Sequence, residues 1–167
     1  MTIRYLARAF LVLLAVTAFG CGGGGGGGTA TPPANPTKAT LTLSIPSLPA
    51  GTQVGGVIFT IQLPPGVSPA VLNGTDASGS ATLTGGASSV NSLSIVDFTP
   101  SATSPQISFG TVTLNSFGAG DFMIVNCVIA SGATVSTSGF SVLNPLVFDS
   151  VGALIPSATI NISVALS

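Results

Sequence analysis

The sequence predicts an all-β protein, an antiparallel β-sandwich, and three observations support this prediction. Apolar and polar residues alternate over short stretches, which places the apolar side chains on one face of a strand. Clusters of Gly, Pro, Asn and Asp separate these stretches, as turns do. No window favours an amphipathic helix of useful length, because Gly, Pro and β-branched residues are too dense. About nine short strands with turns between them are typical of a sandwich.

The strands are predicted from period-two alternation. The stretch ATLTLSI places Leu41, Leu43 and Ile45 on one face, and the closing stretch ATINISVAL alternates in the same way. In GVIFTIQL the inward residues are Val57, Phe59, Ile61 and Leu63. In chain order the predicted strands span residues 39–45, 56–63, 67–72, 80–83, 92–98, 107–114, 122–130, 140–148 and 158–166.

The stretch ISFGTVTL changes the phase of its alternation. Ile107 and Phe109 share one face, and then Val112 and Leu114 share one. A β-bulge at Gly110 would place all four apolar side chains inward, because one extra residue shifts the alternation by one.

Two later strands also depart from simple alternation. Asn144-Pro145 is predicted to break the strand over residues 140–148, because proline lacks a ladder donor. The stretch FMIVNCVIA is nearly all apolar and predicts a central strand. Its core face carries Met123, Val125, Cys127 and Ile129, and its opposite face carries Phe122, Ile124, Asn126 and Val128. Either a loop or neighbouring strand covers that opposite face, or it is an interaction surface.

The first twenty residues have the three-part layout of a secretory signal peptide. Arg4 and Arg8 provide a positive start, residues 9–18 form an apolar run, and Gly20 is a small residue at the junction. A bilayer-spanning helix needs roughly 20 apolar residues, so this run is too short for a membrane anchor. We therefore expect residues 1–20 to be a leader that is removed on export.

Cys21 directly follows the leader. The stretch Ala18-Phe19-Gly20-Cys21 resembles the lipobox of bacterial lipoproteins, although Phe19 stands where that family usually has a small residue. The resemblance implies that the Cys21 thiol is lipidated and becomes the new N-terminus. It also implies a lipid-anchored protein of the bacterial cell envelope, in the outer membrane or at the cell surface. The alternative is an ordinary cleaved signal peptide with an incidental cysteine.

Residues 21–36 are predicted to be a tether. Seven glycines follow Cys21, and three prolines occur in the next eight residues. Glycine chains are flexible and proline-bearing chains are extended. About 15 such residues span on the order of 20 Å as a random coil, which holds a domain away from a membrane surface. Residues 37–167 then form one domain.

The charged residues exclude several classes of function. Beyond the leader, Lys38 is the only basic side chain, and a single lysine cannot form a basic patch for nucleic acid. The chain has 46% hydrophobic and 4% charged residues, the reverse of a disordered chain. Its acidic side chains are Asp76, Asp97, Asp121 and Asp149.

The residues that usually perform catalysis are missing. There is no His and no Glu, so a nucleophilic serine has no base, and no G-x-S-x-G elbow is present. Asp76, Asp121 and Asp149 lie near turns, where aspartate bonds to the backbone, and Asp97 lies among apolar residues. Cys127 has no partner cysteine in the domain and is expected to be a small buried residue. We therefore expect no enzyme, no cofactor and no metal site.

The order of elements resembles that of cohesin domains. The likeness begins with GGVIFTIQLPPGVSPAVL, which is similar to the opening strand of that family. It continues in GAGDFMIVNCVIASG, in the turn FDSVGALIP and in the last strand, and covers Ala39 to the end. The resemblance implies a nine-stranded jelly-roll that binds a calcium-loaded dockerin or serves as a generic surface module. Cohesin recognition faces carry charged residues, whereas this chain has Ser, Thr and Asn and almost no charge.

Together these features predict a lipid-anchored envelope protein with a cohesin-like, non-catalytic binding or adhesion module. Its expected contacts are the membrane, through the lipid on Cys21, and a dockerin-like protein or a carbohydrate. The alternative is a structural subunit of a surface assembly, in which neighbouring copies cover the nearly uncharged exterior.

Overall fold

Two antiparallel sheets pack face to face in the computed structural model, which describes residues 35–89 and 92–167. The predicted all-β antiparallel sandwich is therefore confirmed. Cys21, the leader and nearly all of the predicted tether lie outside the described residues, so what the sequence predicts for them stays a prediction. The strands are β1 (Lys38–Ile45), β2 (Val54–Gln62), β3 (Val67–Pro69), β4 (Ala81–Leu83), β5 (Ser92–Thr99), β6 (Gln106–Phe117), β7 (Gly120–Ile129), β8 (Ser141–Asp149) and β9 (Asn161–Leu166).

The chain passes repeatedly from one sheet to the other. The first sheet has the order β3-β7-β1-β9, and β4 also pairs with β7. The second sheet has the order β5-β6-β2-β8. Only the connections from β3 to β4 and from β5 to β6 stay within one sheet. No helix among residues 35–89 and 92–167 is long and apolar enough to cross a membrane.

The core lies between the sheets and follows the predicted alternation in β1 and β2. Every inward residue predicted for these two stretches is at most 1% exposed. Phe59 of β2 is at the centre of an aromatic group. Its ring stacks on Phe109 with the centroids 4.8 Å apart and meets Phe122 edge-on at 6.1 Å. Such pairs contribute stability beyond their buried area.

The predicted bulge at Gly110 is wrong. Gly110 pairs with Ile58 of β2 and with Ile95 of β5, and the register runs through it without a shift. The alternation of β6 therefore continues past Gly110, and Val112 and Leu114 point outward instead of into the core.

Two threonines take the inward positions of β6 in place of the predicted apolar residues. Thr111 and Thr113 are both buried. The Thr113 hydroxyl donates to the carbonyl oxygen of Gly55 at 3.1 Å, and the Thr111 and Ser94 hydroxyls lie 3.0 Å apart in a hydrogen bond. A buried hydroxyl is tolerated once it is hydrogen-bonded, which explains why these positions need no apolar residue.

β7 contains a bulge. Its register with β1 shifts at Phe122, so that Phe122 and Met123 are both buried. Phe122 was predicted to lie on the opposite face and instead packs against Phe117, with the ring centroids 6.0 Å apart. The predicted core face is confirmed for Met123, Val125, Cys127 and Ile129. On the opposite face Ile124 is half-buried, whereas Asn126 and Val128 are exposed.

The predicted break at Asn144-Pro145 is a bulge within a continuous β8. The β2–β8 register shifts between Ile58 and Thr60, and Asn144 has a φ of 50°. Proline is tolerated here because β8 is an edge strand and does not need every ladder donor. β9 begins at Asn161, three residues later than the start at residue 158 that the sequence predicts.

Candidate binding face

Exposed apolar side chains form two adjacent rows across the strands on the outer face of the second sheet. Strand pairing places Leu93 beside Val112, and Ile95 on the same level as Gly110, Ile58 and Leu146. We call this surface the apolar face. Its large exposed residues are Leu93 (74% exposed), Ile95 (62%), Val112 (64%), Leu114 (83%), Ile58 (50%) and Leu146 (41%).

At one end of the β5–β6 pair the usual burial is reversed, while Val96, Phe98, Ile107 and Phe109 of the same strands are buried in the core. Leu93, Ile95, Val112 and Leu114 face solvent, whereas Thr111 and Thr113 of the same strands face the core. Scattered exposed apolar residues are ordinary, but contiguous apolar patches mark interaction sites. The apolar face is therefore a candidate interaction surface.

Two glycines lie among the side chains of the apolar face, and Gly110 is the one with open space around it. Gly110 lies between Ile95 and Ile58, and a Cβ placed on it would meet no atom within 4 Å. Gly56 lies between Val112 and Phe148, and a Cβ there would approach the Thr111 carbonyl oxygen at 3.1 Å. The missing side chain at Gly110 therefore leaves open space between the two isoleucines.

Two aspartates mark one end of the apolar face. Asp97 takes the outward position that follows Ile95 on β5, and Asp76 lies opposite it across an isolated antiparallel bridge. The Ser78 backbone N–H donates to Asp76 Oδ1 at 2.8 Å, and hydrogen bonds from Ser78 hold the pKa of Asp76 below its usual value. A shallow hollow of about 240 Å³ lies here, lined by Asp76, Ser78, Ser94, Ile95, Val96 and Asp97.

The aspartate pair does not make a metal site. Calcium takes six or more oxygen ligands, and two exposed carboxylates supply too few of them. Within residues 35–89 and 92–167, no group of three or more His, Cys, Asp or Glu side chains could hold a metal ion. The pair instead gives one end of the apolar face a negative charge.

The other two aspartates are separate from this pair. Asp149 Oδ1 accepts the backbone N–H groups of Val151 at 2.9 Å and Ala153 at 2.8 Å, which confirms its predicted role in a turn. Asp76 plays a similar part toward Ser78. Asp121 is exposed near the start of β7, in the first sheet.

Cys127 is a buried, free thiol on the core face of β7. Burial raises its pKa to about 12. The thiol is therefore protonated at neutral pH, and the reactive thiolate is not formed. This matches the expectation of a small buried residue.

No family model, no curated protein and no solved structure matches this chain. The interpretation of the apolar face therefore depends on the geometry of this chain alone. The apolar face is not predicted from the sequence, because the expected bulge at Gly110 places Val112 and Leu114 on the same face as Ile107 and Phe109. The signal that could have found it is the run Thr-Val-Thr-Leu after Gly110, in which two threonines alternate with two apolar residues.

Proposed function

We propose that this chain is a lipid-anchored protein of the bacterial cell envelope whose sandwich domain binds a partner protein through the apolar face. The observation that supports this most is the inverted β5–β6 end. There, threonines are buried and hydrogen-bonded while leucine, isoleucine and valine side chains are exposed. Such an arrangement sacrifices stability that the opposite orientation would provide, and a bound partner would recover it by covering the apolar side chains.

The chemistry of the apolar face favours a protein over a carbohydrate. The cores of protein interfaces are apolar and depleted of charge, with a polar rim. The apolar face has the same organisation, because aliphatic side chains fill its centre and Asp76 and Asp97 lie at one end. The favoured partner presents an apolar surface with a cationic group opposite these two carboxylates. A dockerin-like domain is the partner class that the cohesin resemblance suggests.

The role we propose is non-catalytic. The chain contains no histidine and no glutamate, and the carboxylates near the apolar face, Asp76 and Asp97, are exposed at one end of it. Anchoring follows from the lipobox resemblance at Cys21, and the tether over residues 21–36 would hold the sandwich away from the membrane with the apolar face accessible.

A structural subunit of a surface assembly is the second candidate. It is favoured by the scarcity of charge on the apolar face, where Asp76 and Asp97 at one end are the charges that would approach a neighbouring copy. In that case the apolar face of one copy would be covered by another copy of the same chain instead of by a different protein.

Site-specific photo-cross-linking distinguishes the two candidates. A benzophenone side chain replaces Leu114, which is 83% exposed on the apolar face, in the full chain expressed in its own cells. The matched control replaces Val151, which is 86% exposed in the turn after β8. We expect the Leu114 probe to cross-link one defined protein, identified by mass spectrometry, that the Val151 probe does not. Cross-links to the chain itself would favour the assembly, and equal labelling from both positions would contradict the binding role.

A further inference from the structure

The edge of β9 differs from the other edges of the two sheets. Unpaired edges invite pairing with other chains, and proteins usually obstruct them with prolines, bulges, charges, short strands or covering segments. In the second sheet, β8 carries the Asn144-Pro145 bulge and pairs with Leu154. β5 carries Asp97 and pairs with the segment around Asp76.

The same comparison holds within the first sheet. β3 and β4 are three residues each, and β3 ends at Pro69. β9 has six residues, no proline, no charged side chain and no register shift with β1. Among the edges formed by the described residues, β9 is therefore the one that carries no proline, charge or bulge and is not a three-residue strand, although the turn Thr137–Gly139 lies near it.

Alternate residues of β9 bond to β1, and the backbone N–H and C=O groups of the residues between them point to the side of β9 away from β1. Lys38 and Ser167 exchange two backbone bonds, of 2.9 and 3.0 Å. Bonded and non-bonded pairs alternate along an antiparallel ladder, so the pairs that follow with Ala165 and Ser163 are also bonded. The N–H and C=O groups of Ile162, Val164 and Leu166 consequently point away from β1, to the free edge.

The side chains of the same three residues are incompletely covered. Ile162, Val164 and Leu166 pack against the core but are only half-buried. A strand added beside β9 would bond their backbone groups and also cover the exposed part of their side chains. A single added strand would therefore provide both the backbone hydrogen bonds and the side-chain burial.

We propose that β9 pairs antiparallel with β9 of a second copy of this chain, so that two first sheets join into one continuous sheet. A strand paired with itself about a two-fold axis is self-complementary. With Val164 at the axis, Ile162 lies opposite Leu166 of the second copy, and each outward N–H meets an outward C=O. Charge permits this pairing, because β9 is neutral and brings no like charges together.

The chain's own tether is a poor occupant of this edge. The stretch TATPPANP before β1 has three prolines, which cannot donate to a ladder, and the glycines before it have no side chain to cover Ile162 or Val164. The pairing is also independent of the proposed partner binding, because β9 lies in the first sheet and the apolar face lies on the second.

Cysteine cross-linking tests the pairing and its register. Ser163 and Ala165 are exposed, and in this register Ser163 of one copy lies directly opposite Ala165 of the other. A full-length Ser163→Cys chain and a full-length Ala165→Cys chain are co-expressed, and isolated membranes are oxidised and run on a non-reducing gel. Each variant expressed alone is the control, because two identical positions would lie about 8 Å apart, beyond the ~7 Å limit for a disulfide.

We expect a dimer band from the mixture that clearly exceeds the band from either variant alone and the band from the parent chain. No increase in the mixture would overturn the pairing, as would a disulfide to a different protein. Equal bands from the single variants and the mixture would overturn the register.

Charge substitution gives an independent readout in detergent-solubilised full-length protein. Ser163→Lys with Ala165→Lys places like charges opposite each other, and Ser163→Glu with Ala165→Glu does the same with opposite sign. We expect each double variant to be monomeric by light scattering and the mixture of the two to recover the dimer. Ser92→Lys with Thr99→Lys, on exposed positions of β5, should leave the dimer intact. Double variants that remain dimeric, or a mixture that stays monomeric, would contradict the pairing.

Discussion

At the scale of single residues, a substitution at Gly110 is expected to have opposite effects on stability and on partner binding. A Cβ at this position meets open space, and the residue lies within a regular ladder. Gly110→Val should therefore raise the free energy of unfolding by about 0.5–1 kcal/mol, because glycine is unfavourable inside a strand. The same change fills the gap between Ile95 and Ile58 and should weaken partner binding. Urea unfolding and a binding titration measure the two effects.

Gly85 provides the contrast for that experiment. It has a φ of 55°, and a Cβ on it would collide with the carbonyl oxygen of Asp121. Gly85→Ala should therefore lower the free energy of unfolding, since both the backbone conformation and the space oppose a side chain. If Gly110→Val were as destabilising as Gly85→Ala, the account of an open gap at Gly110 would be wrong.

The buried Cys127 thiol makes the free energy of unfolding depend on pH in the alkaline range. Its folded-state pKa of about 12 lies above the usual cysteine value, so above pH ~9 the unfolded state loses a proton that the folded state keeps. The unfolded state then binds fewer protons, and the free energy of unfolding falls as pH rises from about 9 to 12, by at most about 1.4 kcal/mol per pH unit. Urea unfolding of the parent and of Cys127→Val at several pH values measures this. A slope that survives in Cys127→Val would contradict the assignment.

At the scale of elements, β2 has adjacent residues with opposite roles. Phe59 is buried among Phe109 and Phe122, whereas Ile58 points outward on the apolar face. Phe59→Ala should cost about 3–5 kcal/mol, because it leaves a cavity in the core. Ile58→Ala should change stability by less than about 0.5 kcal/mol and still weaken partner binding. Calorimetry and a binding titration on both variants check this, and the reverse order of stabilities would contradict the inward and outward assignment.

The elements also show how far the sequence alone predicts the fold. The inward residues of β1, β2 and β7 follow from local alternation, because their burial agrees with their hydrophobicity. β6 does not follow it, because Thr111 is satisfied by Ser94 and Thr113 by Gly55, which are 17 and 58 residues away along the chain. The bulge at Phe122 likewise depends on the register with β1. The local pattern does not contain these distant partners, so it does not show what allows Thr111 and Thr113 to face the core.

At the scale of the whole molecule, the two sheets present different surfaces. The second sheet offers the apolar face, and the first sheet offers the open edge of β9. The proposed partner and the proposed second copy therefore occupy separate surfaces and can be present together. A dimer of tethered sandwiches would display two apolar faces, which would strengthen attachment to any partner that is itself repeated on a surface.

The central claim is that the apolar face binds a partner, and the affinity of that partner for face variants tests it most directly. The partner identified by cross-linking is titrated against the parent, Ile95→Ser with Leu114→Ser, and Val151→Ser. Burying one such side chain contributes about 1.5–3 kcal/mol, so the double variant should bind at least about tenfold more weakly. Val151→Ser should bind as the parent does. Unchanged affinity in the double variant, with its fold intact, would contradict the account.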